Sequence, residues 1–170
     1  MNIKRFIGLE GLNGSGKTTT LKELSETLAW KKGGTVRYLF SKRGSALNVA
    51  SFPPSIDDYI VVIEISGKIV VIVTGGDDWW VPEIAVKVIA SIQIEVDIFI
   101  AAIRKAIRTK RKYPSVRDGY CRRLDSCQMQ FMEKNRIGHG NEMSAAYIAN
   151  ADSKMVRKLM KEICKKGELK

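Results

Sequence analysis

The sequence predicts an α/β protein of three layers, with helices on both sides of a mostly parallel sheet that carries one antiparallel hairpin strand. Three observations carry that prediction. The apolar run Phe6-Ile7-Gly8-Leu9 leads through a glycine-rich loop to Leu21, Leu24 and Leu28 at helical spacing. Two β-branched runs, Tyr59 to Ile65 and Ile69 to Val73, flank Ser66-Gly67-Lys68 and read as a tight antiparallel hairpin at the sheet's centre. Pro82 then opens a strongly apolar helix, and a further buried strand follows it.

In chain order, a first strand spans about residues 4 to 9 and a helix about 16 to 32. Gly33-Gly34 stops that helix, and Lys31-Lys32 suit the negative end of its dipole. Residues 35 to 40 have the β-branched and aromatic character of a strand. Ser41 to Asp58, with Gly44 and Pro53-Pro54, read as a loop long enough to be functional. After the hairpin, Thr74-Gly75-Gly76-Asp77-Asp78 forms an acidic turn, and the Pro82 helix runs to about Ile92. Asp97 to Ala102 is read as a strand, although the apolar run through Ile103 also fits a helix continuing to Arg111. Helices near residues 120 to 134 and 142 to 165 complete the reading, the second with Met155, Leu159 and Ile163 on one face.

The 170 residues suit a single domain over 1–170 that buries a core without disulfides or structural metal. Cys121, Cys127 and Cys164 are an odd set without zinc-site spacing, and His139 is the lone histidine, so free thiols in a reducing compartment are expected. The first strand starts too early for a signal peptide, and no apolar run is long enough for a membrane span. The expected location is cytoplasmic, with no membrane partner. The net charge of +11 is uneven. Residues 104 to 123 hold nine Lys or Arg against Asp118, and residues 153 to 170 hold seven against Glu162 and Glu168. A basic segment suits nucleotide steering, a protein or nucleic-acid partner bound through residues 104–123, or a solvated face.

Gly11-Leu12-Asn13-Gly14-Ser15-Gly16-Lys17-Thr18 fits G-x-x-x-x-G-K-[ST], a loop that turns backbone NH groups onto the phosphates of a nucleoside triphosphate. Glycine at 11, 14 and 16 lets the backbone approach closely, and the helix N-terminus adds its dipole. The expected nucleotide-binding set is Gly11, Asn13, Gly14, Ser15, Gly16, Lys17, Thr18 and Thr19. In it, Lys17 reaches the β- and γ-phosphates, and the Thr18 hydroxyl binds Mg²⁺. In open α/β sheets ligands lie at the carboxyl ends of strands, so the turn at residues 74 to 78 is expected to face this loop.

Phe6 through Thr19 resembles the start of thymidylate and nucleoside kinases, a hydrophobic strand followed by E-G-x-D-G-x-G-K-T-T, and the likeness extends over about the first 40 residues. Asn13 stands where that family has Asp, and its later Asp-Arg-aromatic motif has no counterpart. The hairpin ending in Thr74-Gly75-Gly76-Asp77 is similar in position to that of small GTPases, with Val73 where they carry the Asp of D-x-x-G. No N-K-x-D follows residues 97 to 102. Together the resemblances imply a divergent P-loop NTPase.

A second Mg²⁺ contact or water-positioning acid is still needed, and Asp77 is the leading choice as both metal ligand and catalytic residue beside Lys17. Asp78, Glu10 and Glu64 compete. A helix-capping role fits Asp77 or Asp78 equally well, and Glu64 is suspicious inside an apolar strand unless it faces out. Arg104, Lys105 and Arg108 are candidates for phosphate or base contact, Arg122 and Arg123 for a lid or a plain helix face, and Trp79 and Trp80 for packing under the apolar helix ahead of an exposed partner contact. The expected function is an Mg²⁺-dependent nucleotide-binding protein that hydrolyses ATP slowly. The alternatives are a small-molecule kinase acting on nucleosides or nucleotides, and a nucleotide-switched protein associated with nucleic acid.

Overall fold

The computed structural model describes residues 2–56, 58–105, 115–124 and 127–134, together with a helix at 145–164 whose side chains are described from 153 to 163. Its elements are β1 (Ile3–Gly11), α1 (Lys17–Glu26), β2 (Thr35–Ser41), β3 (Tyr59–Ile65), β4 (Lys68–Val73), α2 (Val81–Ser91), β5 (Val96–Arg104), α3 (Val116–Arg123), β6 (Gln128–Glu133) and α4 (Ala145–Cys164). The six strands form one mixed sheet in the order β2-β3-β4-β5-β1-β6. Only β3 runs against its neighbours; β4 with β5, and β1 with both β5 and β6, pair in parallel.

The hairpin turns on Ser66 and Gly67 alone, both at positive φ, which is the backbone twist that joins two right-twisted strands through two residues. On one face of the sheet, Leu21, Leu24 and Leu28 pack with Val156, Leu159 and Ile163 of α4 over alternate residues of the strands, among them Ile7, Leu9, Ile72 and Ile100. On the other face, Val81, Ala85 and Ile89 of α2 and Tyr120 of α3 cover Phe6, Val71, Val73 and Phe99. Each central strand is thus apolar on both sides because each side meets a helix layer. Among the described residues no helix is long and apolar enough to cross a membrane.

Three boundaries differ from the sequence expectation. The first helix is α-helical only to Glu26 and continues as a π-helical turn over Thr27–Lys31, before Gly33 turns the chain with φ 70°. The helix expected at 120 to 134 is instead α3 followed by β6. Ser115 starts α3, its hydroxyl accepting from the Asp118 NH while the Asp118 side chain accepts from the Ser115 NH. The alternation Gln128-Met129-Gln130-Phe131 then supplies a strand at the open side of β1, where the ladder bonds of an edge strand outweigh weak helix propensity. The run from Val96 is a strand through Arg104, as β1 and β4 leave it two partners.

Candidate functional site

Strands β1, β4, β5 and β6 all end at the same edge of the sheet, with Gly11 opposite Arg104 and Glu10 opposite Glu133. Here the glycine-rich loop leaves β1 and enters α1. Gly14 and Gly16 have φ of 71° and 78°, the left-handed region that favours glycine, and Gly16 caps α1. At Gly11 a Cβ would collide with the Ser15 hydroxyl and the Lys134 carbonyl, whereas at Gly14 nothing lies within 4 Å. The loop is therefore pressed against the protein at its start and open at its tip. The Ser15 NH donates to the Leu12 carbonyl at 3.2 Å, and the Ser15 hydroxyl is buried without a hydrogen-bond partner.

Lys17 is buried, and its amine donates to the carbonyls of Gly11 (3.1 Å) and Leu12 (2.9 Å), inside the curve of the loop. Burial lowers the Lys17 pKa from its ordinary value, Asp77 pulls it back up, and Arg104 and Lys134 lower it further. Asp77 and Lys17 are thus electrostatic neighbours although 60 residues of sequence separate them.

The route of the chain between β4 and α2 explains that meeting. Strand β5 lies between β4 and β1, so a residue after β4 reaches the loop only by crossing the end of β5. Thr74 prolongs the hairpin ladder, its NH donating to the Tyr59 carbonyl at 3.0 Å and its hydroxyl accepting from the Tyr59 NH at 2.8 Å. Gly76 then lies on β5, accepting from the Arg104 NH at 3.0 Å in a place where a Cβ would run into the Ala102 carbonyl. Asp77 emerges exposed just past that crossing. Thr18 ties the two loops together, its hydroxyl donating to the Thr74 carbonyl at 3.1 Å. That bond uses the hydroxyl proton and leaves oxygen lone pairs for a cation.

The structure therefore brings together Gly11, Asn13, Gly14, Ser15, Gly16, Lys17, Thr18 and Thr19 as one loop and helix start, with Arg104 opposite Gly11 and with Asp77 and Arg104 close enough for their charges to act on Lys17. Neither Asp77 nor Asp78 caps α2, whose N-cap residue is Trp80 and which has no side-chain cap; the Val81 NH donates instead to the Asp78 main-chain carbonyl at 3.2 Å. The Asp78 carboxylate meets Lys42 at 3.5 Å, and Asp58 meets the same amine at 3.4 Å, which fastens the long loop after β2 to this edge. Glu10 accepts from Arg117 at 3.1 and 3.2 Å, and that guanidinium stacks 4.0 Å above the Phe131 ring.

Glu64 faces outward and pairs with Arg37 at 2.5 Å, so nothing about it remains unexplained. Glu64→Gln is expected to change stability by less than about 1 kcal/mol, as a surface ion pair does, and to leave nucleotide affinity unaltered; chemical denaturation and titration calorimetry check both.

Lys105 pairs with Glu133 at 2.5 Å and Arg123 with Glu83 at 3.2 Å, so Arg123 belongs to a helix face packed on α2 and not to a lid. Arg122 is exposed on the same helix. Trp80 packs into the second core, but Trp79 is 45 % exposed, contrary to the packing expected for both. Arg108, Cys164, His139 and residues 106–114 of the basic segment lie outside the described side chains. Cys121 and Cys127 form no disulfide among the described residues.

The reading of the sequence missed Lys134. It is buried at the end of β6, its NH donating to the Glu10 carbonyl at 2.7 Å and its amine to the Thr20 hydroxyl. The polar-apolar alternation from Gln128 was the signal that could have placed it, since it puts Lys134 at the carboxyl end of a strand.

The chain matches no family model, no curated protein and no solved structure. What the edge can do chemically rests on its own atoms. A buried hydroxyl without a partner, an open loop tip and three cations around one loop fit a bound anion of several charges. Among the described residues no cluster of three or more His, Cys, Asp or Glu side chains could hold a metal ion. The oxygens of Thr18 and Asp77 fit Mg²⁺ only as one or two protein contacts completed by phosphate and water.

Proposed function

We propose that this protein is a divergent P-loop NTPase that binds ATP with Mg²⁺ and hydrolyses it slowly. The observation that supports the reading most is the meeting of Lys17, in the loop that leaves β1, with Asp77, carried across the end of β5 by Gly76. In that reading the loop NH groups and Lys17 hold the β- and γ-phosphates, and Thr18 and Asp77 would hold Mg²⁺, which supplies charge neutralisation at the phosphate oxygens. Asp77 orients a water towards the terminal phosphate. Arg104 and Lys134 add positive charge around the same loop, where it counts most as charge builds in the transition state.

The test is phosphate release from ATP with and without Mg²⁺, repeated with nucleosides and nucleoside monophosphates as acceptors. Release that needs Mg²⁺ and no acceptor supports hydrolysis, and transfer to an acceptor would replace it with the kinase reading. Base recognition is a separate expectation. Without N-K-x-D after β5, where Arg104 and Lys105 stand, ATP and GTP are expected to compete within about tenfold, or 1.4 kcal/mol. A hundredfold preference for GTP in competition binding would overturn that.

A further inference from the structure

We propose that the groove between the π-helical turn after α1 and the outer face of α4 binds a single nucleic-acid strand through its phosphates. The groove, of about 550 Å³, carries Lys31 and Lys32 on one wall and Arg157 and Lys161 on the other, with Val156 and Met160 also lining it. Lys154 and Lys158 are exposed on the same helix. Among the described residues none of these six cations forms an ion pair, whereas Lys105, Arg117 and Arg123 of the other basic segment each pair with a carboxylate. Two acids are close: Glu23, which lines the groove and keeps its charge while accepting from the Ser153 hydroxyl at 3.1 Å, and Glu162, which pairs with Arg5 at 2.6 Å. Among the described residues, six cations stand here against the one carboxylate of Glu23, an excess of positive charge that is an electrostatic footprint for a polyanion.

The shape favours one strand over a duplex or a membrane. Arg157 and Lys161 are one helical turn apart, about 5–6 Å between Cβ atoms, a step that matches neighbouring phosphates of an extended chain, and the facing lysines close the groove from its other side. Trp30 precedes Lys31 in the same turn, beside the groove lining; it packs edge-to-face with Phe52 and stays 60 % exposed, which leaves ring surface on which a base can stack. A membrane surface is disfavoured because Val156, Leu159 and Ile163, the apolar face of α4, are already used in the core. The groove lies at the far end of α1 from the glycine-rich loop, so this binding does not depend on the nucleotide reading.

Fluorescence anisotropy with labelled dT20, without nucleotide, tests it. For four cations the single-strand salt slope implies an affinity loss of about 50-fold between 50 and 200 mM salt. Arg157→Gln with Lys161→Gln is expected to weaken binding at 50 mM salt at least tenfold and to flatten the log-log slope by about 1.4. The charge-matched pair Arg43→Gln with Arg122→Gln is expected to stay within twofold of wild type, and Arg157→Lys with Lys161→Arg to retain binding. Trp30→Ala is expected to weaken dT20 binding about fivefold with the slope unchanged, as loss of one stacked base does. Absence of binding at 50 mM salt, equal losses in the control pair, no loss in Trp30→Ala, or tighter binding to a 20-base-pair duplex or to phosphatidylserine vesicles would overturn the proposal.

Discussion

Lys17→Ala is expected to lower affinity for ATP between tenfold and about 150-fold, or 1.4 to 3 kcal/mol, the range of a charge-assisted hydrogen bond removed from a buried site. The lysine amine already sits within the loop, held by two main-chain carbonyls, and in the proposed reading it would exchange those neutral acceptors for phosphate oxygens. That exchange is favourable only for the charged amine. Arg104 and Lys134 remain in the variant and keep part of the attraction, which is why the loss is bounded. Titration calorimetry with Mg²⁺ and ATP reads the effect, and a thermal melt establishes that the variant is folded. A folded variant of unchanged affinity would remove the triphosphate reading altogether.

Asp77→Asn is expected to keep ATP affinity within about threefold while lowering turnover about a hundredfold, a loss of about 2.7 kcal/mol in the transition state. The side chain is exposed at the tip of the β5 crossing, so the substitution costs little in folding. Its charge acts on Lys17, and in the proposed reading on the space where an attacking water and the terminal phosphate would meet. Asparagine keeps the size and loses the charge, so binding and chemistry separate: kcat falls while KM hardly moves. Steady-state kinetics beside equilibrium binding give the two numbers. Equal turnover in variant and wild type would take Asp77 out of the mechanism and direct attention to Glu10, which Arg117 holds close by.

Local sequence alone determined the loop, the strand before it, the helix after it and the hairpin. Each rests on short-range rules: glycines at positive φ, leucines at helical spacing, and β-branched runs flanking a two-residue turn. The same rules failed for β6, because a short strand at the side of a sheet is stabilised by its ladder with β1, and no local pattern announces that partner. Glu64 shows the complementary failure. Its place in an apolar run made it look buried, and only the lateral position of β3 next to β2 shows it half exposed against Arg37.

For the candidate site, the residues of the loop were legible from their spacing, and Asp77 from its place after an apolar strand. That the Asp77 charge reaches Lys17 was decided by the insertion of β5 between β4 and β1 and by the absence of a side chain at Gly76. Lys134 and Arg104 enter the same field from two other strands. Strand order and crossing points depend on which apolar faces find helices to cover them, a long-range balance of burial that no window of sequence contains.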